Sequence, residues 1–277
     1  MTLAPLELLD ERLDLPQFQL PGELTRLYGG PLGFEEPCLV TNFVETLDGV
    51  VAIPELERSH VLVADENDAD RFVMGLLRAF ADAVLVGSGT LLASPRGTWR
   101  PERVFPAAAA AFAELRRRRG RPEHPTVAIV TGGGSFDPTH PILEAGALVL
   151  TTEGAARDLR ATVPAASEVV AVNAGDSVDV RAAREVLHAR GHRLILSEAG
   201  PNVFGSLLAQ AAVDELFITL SPLFAGRLRE ARRLALVEGV ELLPSLRVGG
   251  ELLSVRRHGG HLFLRYALPV TSGARPS

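Results

Sequence analysis

Lysine is absent from the 277-residue chain, and all 28 basic residues are arginine. Without a lysine amine, Schiff-base and pyridoxal-phosphate chemistry are excluded, and so is the lysine of a phosphate-binding P-loop. Cysteine is nearly absent, because Cys38 is the only one. A single thiol excludes an intramolecular disulfide and any zinc or iron–sulfur site that needs several cysteines. We interpret Cys38, which opens the strand-like run CLVTNFV, as a small buried hydrophobic residue rather than a nucleophile.

The chain also lacks an apolar run of the roughly 20 residues that a membrane-spanning helix needs. Its first residues, MTLAPLELLDERLDL, are acidic where a secretory signal is basic and then apolar, so we expect a cytoplasmic protein. A net charge of -6 gives no electrostatic reason to expect nucleic acid or an anionic membrane as a partner. The sequence is therefore expected to encode a globular protein that acts on small molecules.

Strand and helix signals alternate along most of the chain. Residues 1–36 are proline-rich and lack a sustained period, which predicts an N-terminal arm before one domain over residues 37–270. Strands are predicted at 38–44, 50–53, 83–86, 126–130, 147–150, 169–172, 194–196, 216–220, 232–242, 251–256 and 261–267, and helices at 67–80, 107–119, 179–190 and 203–211. Short apolar strands with crossover helices imply an α/β fold with a mostly parallel sheet covered on both faces. The last strands, joined by glycine-rich turns, predict an antiparallel finish.

Three glycine-containing loops each follow a predicted strand. They are Gly87-Ser88-Gly89-Thr90, Thr131-Gly132-Gly133-Gly134 and Glu198-Ala199-Gly200-Pro201-Asn202. Ligands bind at the carboxyl edge of a parallel sheet, where loops present backbone N–H groups and glycine permits close approach of a phosphate. None of the loops is the dinucleotide fingerprint, since the first has Leu92 where a third glycine would stand. Each loop alone can be an ordinary turn, but the three together indicate a nucleotide site.

Other catalytic and metal-binding patterns are incomplete. Ser88 lies in VGSGT and not in the G-x-S-x-G elbow of a hydrolase. His188 and His192 can share a helix face, but a third ligand is missing nearby, so no metal site is predicted. The acidic cluster that runs from Asp65 to Asp70 is interpreted as the start of a helix.

Four segments resemble the pyrimidine reductases of riboflavin synthesis, and in particular the stand-alone pyrimidine-reductase-like proteins of high-GC bacteria. They are TNFVETLDGVVA, LLRAFADAVLVGSGTLLASP, PTVAIVTGGGSFDP and LILSEAGPNVFGSLLAQAAVDELFITLSPLFAG. The last is the most specific, because an E-x-G-P loop and a helix are followed by V-D-E-L, an apolar strand and a P-x-x-x-G turn. The resemblance covers about residues 37–268 and implies a dihydrofolate-reductase-like domain of three layers with a central mixed sheet, usually a homodimer. It also implies NADPH as hydride donor and a phosphoribosylaminopyrimidine substrate whose ribose is reduced.

The resemblance implies roles for individual residues. Cofactor contacts are implied for residues at strand ends and in the glycine loops, namely Val44, Gly87, Gly89, Thr90, Ser94, Thr131, Gly132, Gly133, Gly200, Pro201, Asn202 and Val203. Substrate contacts are implied for Asn42, Asp48, Arg78 and Glu198, of which Arg78 matches an arginine that grips a substrate phosphate.

Three departures from the family pattern bear on the substrate. Leu62 and Ala64 stand where classical members place a serine and a tryptophan. Asn42 stands where some pathway enzymes carry a lysine, and Ser94 stands where members commonly keep an acidic residue. Cofactor binding is therefore better supported than the pathway substrate. Two alternatives stay open: an NADPH-dependent reductase of a dihydropterin or another heterocyclic imine, and a nucleotide-binding protein of the same fold without turnover.

Reduction of an imine or carbonyl requires a proton at the heteroatom besides the hydride. With no lysine in the chain and no histidine in the matched loops, Glu198 is the predicted catalytic acid; its alternative role is to stabilise the turn before Gly200. Arg96 and Arg100, with no acidic residue evident for a ribose 2′-hydroxyl, favour NADPH over NADH. The apolar C-terminal run HLFLRYAL predicts an edge strand that a second subunit covers.

Overall fold

The computed structural model describes residues 3–133, 136–228, 230 and 232–268. Its strands are β1 (Glu7–Glu11), β2 (Cys38–Glu45), β3 (Ala83–Gly87), β4 (Thr126–Val130), β5 (Leu148–Thr152), β6 (Glu168–Asn173), β7 (Leu194–Ser197), β8 (Glu215–Leu220), β9 (Glu251–His258) and β10 (His261–Ala267). Its α-helices are α1 (Gly22–Tyr28), α2 (Ser59–Val63), α3 (Asp68–Phe80), α4 (Ser88–Ala93), α5 (Pro101–Val104), α6 (Ala109–Arg118), α7 (Pro141–Glu144), α8 (Glu153–Thr162), α9 (Val180–Ala189) and α10 (Pro201–Ala209).

All ten strands form one sheet in the order β1-β9-β10-β8-β2-β7-β3-β4-β5-β6. From β8 to β6 the neighbouring strands run parallel, whereas β10, β9 and β1 extend the sheet in antiparallel pairing. The predicted α/β fold, mostly parallel with antiparallel C-terminal strands, is confirmed.

Both faces of the sheet are covered, because the parallel strands are apolar on both sides. On one face α3 packs Phe72, Leu76 and Phe80, all fully buried and spaced four residues apart, into the larger core. On the other face α9 and α10 bury Leu187 and Leu207. Since β2, β3, β4 and β7 are parallel, their carboxyl ends meet at one edge, and the loops that leave them lie side by side there.

The N-terminal segment is more regular than its proline content predicts. Strand β1 pairs with β9, and α1 buries Leu24, Leu27 and Tyr28 in the same core as α3. The segment expected as an arm thus supplies one strand of the sheet and one helix of the surrounding layer.

Two predicted strands are wrong. Residues 50–53 and 232–242 form no ladder in the described part of the chain, and meet only in an isolated bridge between Ala52 and Leu234. Val50 and Val51 are nevertheless buried, and Leu234 packs against the core. Apolar side chains indicate that a segment is buried, and an irregular segment can be buried without forming a strand.

The prediction that HLFLRYAL forms a sheet edge is also wrong. Strand β10 lies inside the sheet, between β8 and β9, so its backbone is paired on both sides. The edge on that side is β1, whose Glu7, Asp10 and Glu11 suit an unpaired position. No helix among the described residues is both long and apolar enough to cross a membrane.

Candidate active site

A cleft of about 1820 Å³ opens where the carboxyl ends of the central parallel strands meet. The loops after β3, β4 and β7 form its floor, and residues 51–60 form part of its rim. This volume exceeds the roughly 300–1,000 Å³ of an ordinary small-molecule pocket. The cleft therefore has room for a dinucleotide and a second ligand together.

The three glycine-containing loops meet in this cleft as the strand order requires. The residues with predicted cofactor contacts all line it, namely Val44, Gly87, Gly89, Thr90, Ser94, Thr131, Gly132, Gly133, Gly200, Pro201, Asn202 and Val203. Gly134 lies outside the described residues. Of the two arginines expected near the cofactor, Arg96 lines the cleft, and Arg100 is not among the described residues that do.

The loops after β3 and β7 pack against each other through glycine. A Cβ atom on Gly87 would lie 3.3 Å from Cγ2 of Val203, which is a tight contact, and one on Gly200 would lie 3.9 Å from Oγ1 of Thr90. Helix α10 begins directly after Gly200, and no side chain in the described part of the chain caps it. Its first turn therefore presents the positive end of the helix dipole to the cleft.

A buried histidine holds one wall of the cleft. Nδ1 of His140 accepts a hydrogen bond from the Ile142 amide (3.2 Å), so the ring proton is on Nε2 and is donated to the Ser94 carbonyl (2.9 Å). The same ring packs against Trp99, with the centroids 6.0 Å apart. Ser94, which replaces the acidic residue of the family pattern, is thus fixed through its backbone.

Arg78 and Glu198, which we predicted to act separately, form a bidentate ion pair. Nε and Nη2 of Arg78 donate to the two Glu198 carboxylate oxygens at 2.7 and 2.6 Å, and both side chains are about one-tenth exposed. The buried Arg116 donates to the carbonyls of Arg78, Ala79 and Ala81 and so holds the end of α3 that carries Arg78. Such a pair is strongly oriented and uses both oxygens of Glu198 as acceptors.

The other two predicted substrate contacts are placed differently. Asn42 lines the cleft, but Asp48 is not among the described residues that do. Asp48 instead accepts hydrogen bonds from the Thr46 hydroxyl and from the amides of Ala225 and Gly226, which lowers the pKa of this carboxyl to about 2. The structure thus gives Asp48 the role of fastening the loop after β8 to the turn after β2.

Several titratable residues that line the cleft were not predicted as site residues, and Asp70 and His60 are two of them. Asp70 and Met74 precede Arg78 on α3 at four-residue spacing, and all three line the cleft. Asp70 is only 3% exposed, and this burial raises the pKa of the carboxyl to about 6, although the Thr219 hydroxyl donates a hydrogen bond to it. His60 of α2 also lines the cleft, and burial lowers its pKa. The spacing of Asp70 from Arg78 was the signal that could have found it.

Fold and site together define an α/β protein with a dinucleotide-sized cleft at the carboxyl edge of its sheet. The profile of the RibD C-terminal domain family matches residues 37–254, and the chain belongs to this family. A curated relative is the 2,5-diamino-6-ribosylamino-4(3H)-pyrimidinone 5′-phosphate reductase of Archaeoglobus fulgidus, which is 31% identical over 193 residues, 69% of this chain and 82% of the relative.

Solved structures agree on the fold. A pyrimidine reductase-like protein from Corynebacterium diphtheriae superposes with a TM-score of 0.62 and 20% identity, over 84% of this chain and 92% of that one. The riboflavin biosynthesis reductase Rib7 of Saccharomyces cerevisiae gives a TM-score of 0.58 and 18% identity, over 87% and 94% of the two chains. At these identities the similarity concerns the architecture.

Proposed function

We propose that this protein is an NADPH-dependent reductase of a phosphoribosylaminopyrimidine. The main support is that the loops expected to hold a dinucleotide line one cleft together with Arg78 and Glu198. Membership of the RibD C-terminal domain family supports a reductase of this type. The Archaeoglobus fulgidus relative is named for a ribosylaminopyrimidinone 5′-phosphate, which supports the same substrate class here.

The residues of the cleft fit a nicotinamide dinucleotide. Gly89 and Gly133 line the cleft and leave open space where a side chain would project, and the start of α10 offers a favourable dipole to a pyrophosphate. Arg96, Arg103 and Arg232 line the cleft, whereas Asp176 is the acidic residue beside the Gly132 loop. Five arginines and five carboxylates line the cleft in the described part of the chain, so its charges balance in number. We expect one of these arginines to bind a ribose 2′-phosphate, so that NADPH binds more tightly than NADH. The bound cofactor supplies the hydride.

The wall formed by α3 is the proposed substrate side. Arg78 offers a planar guanidinium of the kind that binds phosphate, but in this structure its Nε and Nη2 atoms face Glu198. A substrate phosphate there must share the guanidinium with Glu198 or displace it. Asn42, on the neighbouring strand β2, offers an amide to the polar edge of a heterocycle.

A second candidate is a reductase of a dihydropterin or another heterocyclic imine. Asn42 and Ser94, which depart from the family pattern, both line the cleft, so the surface offered to the substrate differs from that of pathway enzymes. A nucleotide-binding protein without turnover is the remaining alternative. All three candidate functions use the same cofactor site, so they are distinguished by which substrate, if any, the protein reduces.

We further propose a cytoplasmic homodimer. Strand β10 lies inside the sheet, so it offers no edge to a second subunit. The support for a dimer is instead the exposed apolar side chains in the loop that follows β8. Phe224 and Leu228 are 75% and 77% exposed, and a second subunit packed against the loop after β8 would cover both side chains. Sedimentation at micromolar concentration tests this, and a monomer there would contradict the proposal.

The test of function follows the loss of NADPH absorbance with a panel of substrates, comprising a phosphoribosylaminopyrimidine, its dephosphorylated form and a dihydropterin. We expect turnover with the first and a much higher KM with the second. Turnover with the dihydropterin alone would replace the proposed substrate. Tight NADPH binding without turnover on any of them would identify a binding protein.

A further inference from the structure

A reductase of this kind needs a proton donor, and the predicted one is already engaged. Both carboxylate oxygens of Glu198 accept N–H groups of Arg78. With both oxygens used as acceptors, the geometry of Glu198 suits it to orient the guanidinium. Another titratable group that reaches the cleft is better placed to supply the proton.

Asp70 occupies the required position. It lines the cleft on the same helix as Arg78, two turns earlier, and is 3% exposed. Its carboxylate accepts a hydrogen bond from the hydroxyl of Thr219 in β8. Thr219 pairs in register with Val44 near the carboxyl end of β2. The carboxyl group therefore lies where the sheet meets the substrate wall.

The surroundings of Asp70 keep it partly protonated near neutral pH. Desolvation by burial is the largest influence, and the negative charge of Glu198 acts in the same direction. The Thr219 hydroxyl and the positive charge of Arg71 act against them. The resulting pKa of about 6 is close to the working pH, which is where general acid–base catalysis is most efficient.

Helix capping does not account for this buried carboxyl. The N-terminus of α3 is capped by Asn67, whose Oδ1 accepts the amides of Ala69 and Asp70 at 2.8 and 3.3 Å. A negative charge at the helix start is already supplied by Asp68, which is about half exposed and paired with Arg71. Asp70 adds a second carboxylate that folding must bury. That arrangement is typical of a functional site.

We propose that Asp70 is the catalytic acid, which donates the proton to the substrate heteroatom during reduction; this rests on the proposed function. In the ring-opened form of the substrate the ribose C1′–O bond has broken, the oxygen has become a hydroxyl, and C1′ is double-bonded to the amine nitrogen. Hydride supplied by the nicotinamide cofactor would add to C1′ of this C=N bond, and the π electron pair moves to nitrogen. The nitrogen takes the proton from the Asp70 carboxyl, which becomes a carboxylate. The cofactor leaves oxidised, and Asp70 regains a proton from solvent through the open cleft.

The test compares Asp70→Asn with the matched control Asp68→Asn, which removes a carboxylate from the same helical turn outside the cleft. Asp70→Asn is expected to lower kcat at least about 100-fold while NADPH affinity, measured by fluorescence titration, stays within about twofold. Asp68→Asn is expected to keep kcat. A fall in affinity for substrate alone, with kcat unchanged, would make Asp70 a binding residue and overturn the proposal.

Thr219→Val supplies a second test that needs no change at Asp70. It removes the hydroxyl that lowers the pKa of Asp70, so the pH above which kcat falls should move upward. The carboxyl signal of Asp70 in ¹³C-labelled protein should titrate at a correspondingly higher pH, with no substrate present. An unmoved kcat profile beside a moved carboxyl titration would overturn the proposal, and so would an unmoved titration.

The same experiments separate the two proposals. No turnover by the wild-type protein on any substrate would remove the reductase function and this inference with it. Wild-type turnover with an equally active Asp70→Asn protein would remove only the catalytic role of Asp70. If Asp70→Asn does not fold, the Thr219→Val profile decides.

Discussion

The buried carboxyl of Asp70 makes the stability of this protein depend on pH in a specific way. Burial raises its pKa from the ordinary 3.8 to about 6, so the folded state favours the protonated form. Its ionisation therefore does not weaken the fold below about pH 4, weakens it progressively as the pH rises to about 6, and reaches a constant penalty above that. The shift is about two pKa units, each equivalent to 1.36 kcal/mol, which gives a loss of about 3 kcal/mol.

Asp70→Asn removes this ionisation and preserves the size of the side chain. We expect the difference in free energy of unfolding, variant minus wild type, to increase by about 3 kcal/mol when the pH rises from 3.5 to 7.5. Urea denaturation followed by circular dichroism at several pH values measures the difference, and equal m-values confirm that only stability changed. The exposed Asp68→Asn should show no comparable trend. A difference between the wild type and the Asp70→Asn protein that stays flat or shrinks with rising pH would refute the account of a buried, destabilising carboxylate.

Three further predictions follow from the cleft and its packing. A Cβ on Gly89 would project into the cleft without meeting any protein atom within 4 Å, so Gly89→Val should occupy space of the cofactor and weaken NADPH binding at least about tenfold, as measured by titration. The control is Gly22→Val at the start of α1, which is equally uncrowded and should leave NADPH binding unchanged. Arg78→Ala should leave the buried Glu198 carboxylate without its ion-pair partner and lower the free energy of unfolding by about 3 kcal/mol. The same variant should raise KM only for an anionic substrate. An equal rise in KM for a neutral substrate would contradict a phosphate-binding role. Gly205→Ala should lower Tm with a loss of about 1–3 kcal/mol, because the new Cβ would collide with a backbone carbonyl.

Strand positions were predictable where apolar runs are bounded by turn residues. Residues 126–130 and 261–267 form the strands the sequence predicts, and Asn67 marks the start of α3 as a capping residue should. Residues 50–53 and 232–242 were wrongly predicted as strands, because apolar residues indicate burial and do not show whether the backbone pairs with another strand. Helix α8 was not predicted, because Ala156 and Leu159 are the only two of its ten residues that are buried.

The glycine loops were predictable because strand order alone brings the carboxyl ends of parallel strands to one edge. The pairing of Arg78 with Glu198 was not, since 120 residues separate them and both sequence signals indicated independent roles. Asp70 was interpreted as a helix start because its neighbours are acidic. Its spacing from Arg78 was the sequence signal that could have placed Asp70 on the cleft side of α3, and its burial there is what makes it a candidate acid.

The most direct test of the account is the steady-state rate of NADPH oxidation by the purified protein with a phosphoribosylaminopyrimidine, measured beside Gly89→Val and Asp70→Asn. The account predicts turnover by the wild type, a raised KM for NADPH in Gly89→Val, and a kcat at least about 100-fold lower in Asp70→Asn. NADPH that stays unoxidised with the pyrimidine, the dihydropterin and the dephosphorylated substrate alike would contradict it.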